Sequence, residues 1–334
     1  MNENAKIRPK DIIINYAIYF ILLALIIIIG IISPNFFSLD VFRDIFMQSS
    51  VRIVMALGCM FIIISGSADL SGGRMLGLAA LVAGSLAQQA SYSLKFWPQL
   101  PEMPVVIPIL ASMLVGVLFG AFNGWTVAKL RVPAFLATLG SQMILFGVSS
   151  LYFNKAPNNS QPLGSFTPGF SNFGSGSILD IPYLIIVAVI CLVFVWLLLT
   201  KTCMGKDIFA VGGNPEAARV SGINLFKIQM ITFTLAGLLY GLSGSMEAAR
   251  TGSATSAYGN AYELDAIASC IVGGCSITGG VGTVGGVFAG VIIFNVISYG
   301  LTFIGISPYW QNVVKGLIII GAVALDVRKY AKKD

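Results

Sequence analysis

Apolar positions in this chain gather into long uncharged runs; the short alternating stripes of a half-buried strand and the one-sided stripe of a surface helix are both missing. Crossing a bilayer core of about 30 Å takes roughly 20 apolar residues, so each run bounded by charge, Pro or Gly predicts a span. About ten such runs can be marked, at 12–32, 50–65, 75–90, 105–127, 134–152, 181–199, 228–246, 263–277, 284–304 and 310–325. The shorter ones, 50–65, 75–90 and 263–277, are Gly-flanked and cannot cross unaided. They read as broken or protein-enclosed helices, because bare backbone inside a membrane is tolerated only where protein or water satisfies it. The expectation is an all-α polytopic membrane protein of about ten transmembrane helices, some short or broken, forming a single domain over 1–334.

Composition agrees. Of the 334 residues, 56% are hydrophobic and 10% charged, where soluble domains carry roughly a quarter charged. The absence of histidine removes Ser-His triads, zinc sites and the usual proton shuttle, so no catalytic and no metal-binding residues are expected. The five cysteines form no C-x-x-C pair and read as small apolar residues. The net charge of +6 implies no nucleic acid, since the Lys and Arg residues crowd one side of the predicted membrane. That bias places both termini in the cytoplasm. Two long connections acquire sides accordingly: 153–180, rich in Pro, Asn, Ser and Gly, is periplasmic, and 200–227 is cytoplasmic.

The cytoplasmic connection carries a complete helix punctuation: Asn214 as N-cap, Pro215 at the first position, Glu216 in the first turn, Arg219 in the last and Gly222 as C-cap. A helix of about two turns is not stable alone in water, so it must pack on the spans or on a docked subunit.

Other motifs weigh against enzymatic chemistry. The one Gly-Lys pair, Gly205-Lys206, is followed by Asp207, where a phosphate-cradling loop needs Ser or Thr. Gly280-Val-Gly-Thr-Val-Gly285 fits a dinucleotide pattern but has no strand before it and no acidic residue at the required distance. Together with the G-x-x-x-G spacings at Gly116/Gly120, Gly237/Gly241 and Gly286/Gly290, it predicts close helix packing. Asp69-Leu-Ser-Gly-Gly73 echoes Ser276-Ile-Thr-Gly-Gly280 and hints at an internal repeat.

The stretch GGNPEAARVSGI, with ADLSGGR at 68–74, YELDAIASCIVGG at 262–274 and SPYWQNVVKG at 307–316, resembles the ribose/galactose branch of binding-protein-dependent ABC-importer permeases over nearly the whole chain. The resemblance implies an inner-membrane transport subunit that works as a homodimer and passes a monosaccharide, foremost galactose or methyl galactoside. It implies a periplasmic sugar-binding protein and a cytoplasmic ABC ATPase as partners. ATP and Mg would be used by that ATPase, with no cofactor on this chain. Gly212, Gly213, Asn214, Pro215, Glu216, Ala217, Ala218 and Arg219 match the element that seats in the ATPase.

A sugar path requires hydroxyl, amide and aromatic groups, and Gln48, Asn123, Thr138, Gln142, Asn295 and Tyr299 are candidates. Charges at or within spans face partners or wet cavities by default. Arg52, Glu247 and Glu263 are expected at the outer interface, Asp69 and Arg74 paired with each other, and Asp265 and Lys315 as a buried ion pair. The alternatives are an ion-coupled symporter, with Asp265 as carrier, or the same fold with ribose, an autoinducer sugar or a branched-chain amino acid as cargo.

Overall fold

The computed structural model describes residue 23 and residues 26–331. The basic residues Lys6, Arg8, Lys10, Lys332 and Lys333 and most of the run 12–32 lie outside the described residues. A 3-10 turn, Pro34–Phe37, precedes α1 (Leu39–Ile64), α2 (Gly72–Leu86), α3 (Val106–Ala128), α4 (Ala134–Asn154) and α5 (Pro168–Ser175). After a two-residue antiparallel β-ladder, Ser177–Ile178 with Ile181–Pro182, come α6 (Tyr183–Lys201), α7 (Cys203–Gly213), α8 (Pro215–Val220), α9 (Leu225–Thr251), α10 (Tyr262–Val272), α11 (Val284–Phe303) and α12 (Pro308–Ala331). Among the described residues, α1, α3, α4, α6, α9 and α11 are long and apolar enough to cross a membrane, with α2 a shorter apolar helix. The run 50–65 is therefore not a short span but the end of the 26-residue α1, which continues through Asp40, Arg43, Asp44 and Arg52. The chain is a mostly helical polytopic membrane protein.

The chain divides into two compact units, residues 47–291 and residues 1–46 with 292–334. In the smaller, Ile29, Phe36, Val41 and Ile45 form a buried cluster lined by Val296, Tyr299 and Ile304.

In the larger, α9 packs along α3 and α2. The predicted close packing is real and lies within one chain. A Cβ on Gly116 would overlap the Gly237 carbonyl, one on Gly237 would overlap the Gly116 carbonyl, and Gly290 stands in the same way against Ser269. Removing side chains at these positions lets helix backbones touch, which is how helices associate where lipid is as apolar as leucine.

Two helices begin inside the bundle. The Tyr240 ring lies between Gly58 of α1 and Gly72 of α2, so α2 starts at the level of Gly58, about 9 Å short of the end of α1 at Ile64 by the helical rise. The chain between them turns back into the bundle. Likewise α10 begins beside Arg52, which is about 18 Å along α1 from Ile64. The irregular segment leading to it, 252–261, runs back along α2: Ala254 lies against Gly84, Tyr258 against Gly77 and Gly259 against Gly73.

The connection 153–180 is built rather than loose. Leu163, Phe166 and Phe170 are buried with Phe96, Ala249 and Ala254 in one apolar cluster, and short ladders join Gln88 to Phe166 and Leu163 to Ala254. Its α5 and the two-residue ladder carried no apolar periodicity long enough to be read from sequence.

Candidate coupling element and polar interior

The 200–227 connection is almost wholly helical. Thr202 caps α7 by accepting from the Gly205 N–H at 3.1 Å, a helix the sequence concealed because Gly205, Gly212 and Gly213 disfavour one. The α8 helix forms as its punctuation predicts. Asn214 Oδ1 accepts the Ala217 N–H at 3.0 Å. At the other end, Gly222 takes a positive φ of 86°, its N–H reaches the Arg219 carbonyl, and the Ile223 N–H reaches the Ala218 carbonyl, both at 3.0 Å. That is the two-bond closure a left-handed glycine permits.

Only one side of α8 is anchored. Ala218 is buried, while Pro215, Glu216, Ala217, Arg219 and Val220 are exposed. Arg219 donates to Glu216 at 2.6 Å on the open face. Just before it, a Cβ on Gly212 would overlap the Ile64 carbonyl oxygen, the same oxygen that accepts the Gly280 N–H at 2.8 Å. Gly212 thus holds the end of α7 against the end of α1 and the turn joining α10 to α11. Its neighbour Gly213 is exposed, with nothing within 4 Å of where a Cβ would stand.

The turn before α2 is fastened by hydroxyls and amides. Asp69 Oδ1 accepts from the Ser71 N–H at 2.7 Å and the Ser71 hydroxyl at 2.6 Å. Asn123 Nδ2 donates to Ser71 Oγ at 2.8 Å, Ser141 donates to Asn123, and Thr138 Oγ1 accepts the Leu70 N–H at 3.1 Å. Both Asn123 and Thr138 are fully buried. Asp69 therefore does not pair with Arg74. The reason is the turn, which spends the carboxylate on its own backbone, while Arg74, two residues into α2, donates to the Asn260 side chain at 2.8 Å and the Ser256 carbonyl at 3.3 Å.

A second cluster joins α1, α9 and α10. Arg52 stacks 3.3 Å over the Tyr262 ring and pairs with Asp265 at 3.3 Å. Tyr262 donates to Glu247 Oε1 at 3.0 Å, and Glu247 pairs with Arg250 at 3.1 Å. Glu247 and Glu263 are buried, so these side chains are bound into the bundle instead of snorkelling outward, because α10 begins part-way across and carries its first turn inward. Glu247→Ala strands the mostly buried Arg250 and is expected to cost about 3 kcal/mol, read as a lower thermal unfolding midpoint in detergent.

The remaining sequence candidates fall in both units. Gln142 is half-buried and donates to Glu263 Oε1 at 3.4 Å. Gln48, half-buried, lies on α1 in the larger unit. Asn295, buried, and Tyr299, which donates to Asp44 at 3.2 Å, lie on α11 in the smaller unit. Asp265 belongs to the larger unit and the half-buried Lys315 of α12 to the smaller. No local pattern pairs Arg52 with Asp265, because the two lie 213 positions apart.

Residues 41–323 match the family described as branched-chain amino acid transport system / permease component. The chain belongs to this family. The permease is 48% identical over 320 residues to the galactose/methyl galactoside import permease protein of Escherichia coli K12, covering 95% of each chain. It is 44% identical over 337 residues to the protein of the same description from Haemophilus influenzae, covering both chains fully. To the ribose import permease protein of E. coli K12 it is 38% identical over 311 residues, 92% of each. No solved structure matches. The permease is a multi-pass inner-membrane transport subunit of the ABC-importer type and not an enzyme.

Proposed function

We propose that this permease admits galactose or methyl galactoside, delivered by a periplasmic binding protein, and is driven by a separate cytoplasmic ATPase that consumes ATP and Mg. Two copies of the chain form the pathway, with both termini and 200–227 inside and 153–180 outside. The ATPase seats on the exposed Gly213, Asn214, Pro215, Glu216, Ala217 and Arg219, while the buried Gly212 and Ala218 hold the element to the rest of the bundle.

The observation that carries the coupling role is the contrast within this element. α8 is capped at both ends and presents an exposed face, while Gly212 directly before it has backbone-to-backbone contact with the inner end of α1. A push on the first reaches the spans through the second. Such a push matters only if it favours one of two conformations of the bundle.

Cargo is supported by the similarity over 95% of both chains and by charge. Helix N-termini within a bundle attract anions, but α10 begins with Glu263 and Asp265 in its first turn. These carboxylates already answer the helix dipole and repel the carboxylate end of a zwitterionic amino acid. A neutral polyol meets no such repulsion. Of the pathway candidates, Gln142, Gln48 and Tyr299 keep some exposed surface and serve as path residues, each within its own unit, while Asn123, Thr138 and Asn295 are buried. Asp265 is already paired with Arg52 at 3.3 Å, which suits it poorly to the carrier role a symporter needs.

Reconstitution tests the reading. Vesicles holding permease, ATPase, MgATP and binding protein should concentrate galactose, and vesicles holding the permease alone should not. Concentration against a gradient by the permease alone would overturn it.

A further inference from the structure

Arg74, Asn260, Gln142 and Glu263 come together where the irregular segment 252–261 meets the start of α2 and the middle of α4. Their depth matters. Gly72 lies level with Gly58, which puts Arg74 roughly 12 Å inward from the end of α1, within a hydrocarbon core about 30 Å thick. At that depth Asn260 is exposed and Arg74 and Gln142 are partly so. The Arg74 guanidinium also lies 4.8 Å over the ring of Phe146, itself 49% exposed. A guanidinium and a carboxamide at this depth are costly against lipid. Irregular backbone there is tolerated only when buried in protein or facing water, yet Ala257, Asn260 and Ala261 are all exposed.

A second observation is independent of exposure. Glu263 is 94% buried by the complement of its 6% exposure. Among the described residues, its Oε2 is the buried side-chain polar atom without a hydrogen-bond partner. Its other oxygen accepts from Gln142. Oε2 stands where a Cβ on Gly73 would collide with it and with the Gly259 carbonyl, directly behind the Arg74–Asn260 pair. A buried acceptor left without a donor carries a desolvation cost that a hydroxyl donor would relieve.

We propose that these four residues form a polyol-binding station on a water-filled path within the permease, with Arg74, Asn260 and Gln142 at its wet rim and the Glu263 carboxyl as the acceptor for a sugar hydroxyl once the rim parts. Phe146 supplies the apolar ring face that a pyranose stacks against. The proposal rests on the sugar-permease reading and places a cargo contact on the permease itself.

The test uses the assembled importer in vesicles. The exposed Cys203 is first removed as Cys203→Ser, the other cysteines being buried. Asn260→Cys is then treated with a membrane-impermeant charged maleimide. Labelling should occur and should slow about tenfold with galactose at ten times its Kd, the factor by which free sites are depleted. Protection by ribose but not galactose would keep the station and overturn the galactose reading. No labelling, or labelling that neither sugar slows, would overturn the station while leaving the cargo reading to stand on uptake. Should Asn260→Cys fail to accumulate, Gln142→Cys carries the same three outcomes.

Discussion

A Gly213→Arg permease is expected to insert and fold normally while ATP-driven galactose uptake falls to background. Gly213 is exposed, and nothing stands within 4 Å of its missing Cβ, so an arginine there has room in the isolated subunit. The same side chain would fill the space proposed for the docked ATPase, setting a bulky cation directly before the exposed face of α8. In the proposed mechanism, loss of the docked ATPase removes the differential binding that would shift the bundle between two conformations. Uptake, normalised to the amount of permease in the membrane, and ATPase recovered with the permease should fall together. Normal uptake would remove the docking role from this element.

Gly212→Ala, one residue earlier, should fail for the opposite reason. Its Cβ overlaps the Ile64 carbonyl oxygen, already engaged by the Gly280 N–H at 2.8 Å, so the end of α7, the end of α1 and the α10–α11 turn cannot all stay in contact. Overpacking of this kind costs about 1–3 kcal/mol, which at 1.4 kcal/mol per decade is about fivefold to about 140-fold in the joined population. ATPase should still be recovered, because the exposed face of α8 is untouched. The ratio of ATP hydrolysed to galactose moved should rise by that factor. An unchanged ratio would show that force does not pass through Gly212.

The legible parts of this molecule are the local ones. The caps of α8 were readable because Asn214, Pro215 and Gly222 act on backbone groups within a few positions of themselves. The apolar runs at 105–127, 134–152 and 284–304 became α3, α4 and α11 within a few residues, since lipid demands apolar side chains all round a helix. The α7 helix was not legible, because its glycines argue against a helix and are there for contacts with Ile64 and Gly280. Nor was the fate of the interior charges: proximity in sequence sets Arg74 beside Asp69, but α2 turns it toward Asn260, 186 positions away.

Taken by itself, the chain determined its solvent, its helical class, the short helices within 75–90 and 263–277 and the small capped rod, because each of these follows from residues acting on lipid, water or their own neighbours in sequence. Only the tertiary structure decided which glycine is a joint and which lies open, which carboxylates find cations and where α2 and α10 begin inside the bundle. Those outcomes depend on contacts between segments far apart in the chain, and no local pattern carries the geometry that brings them together.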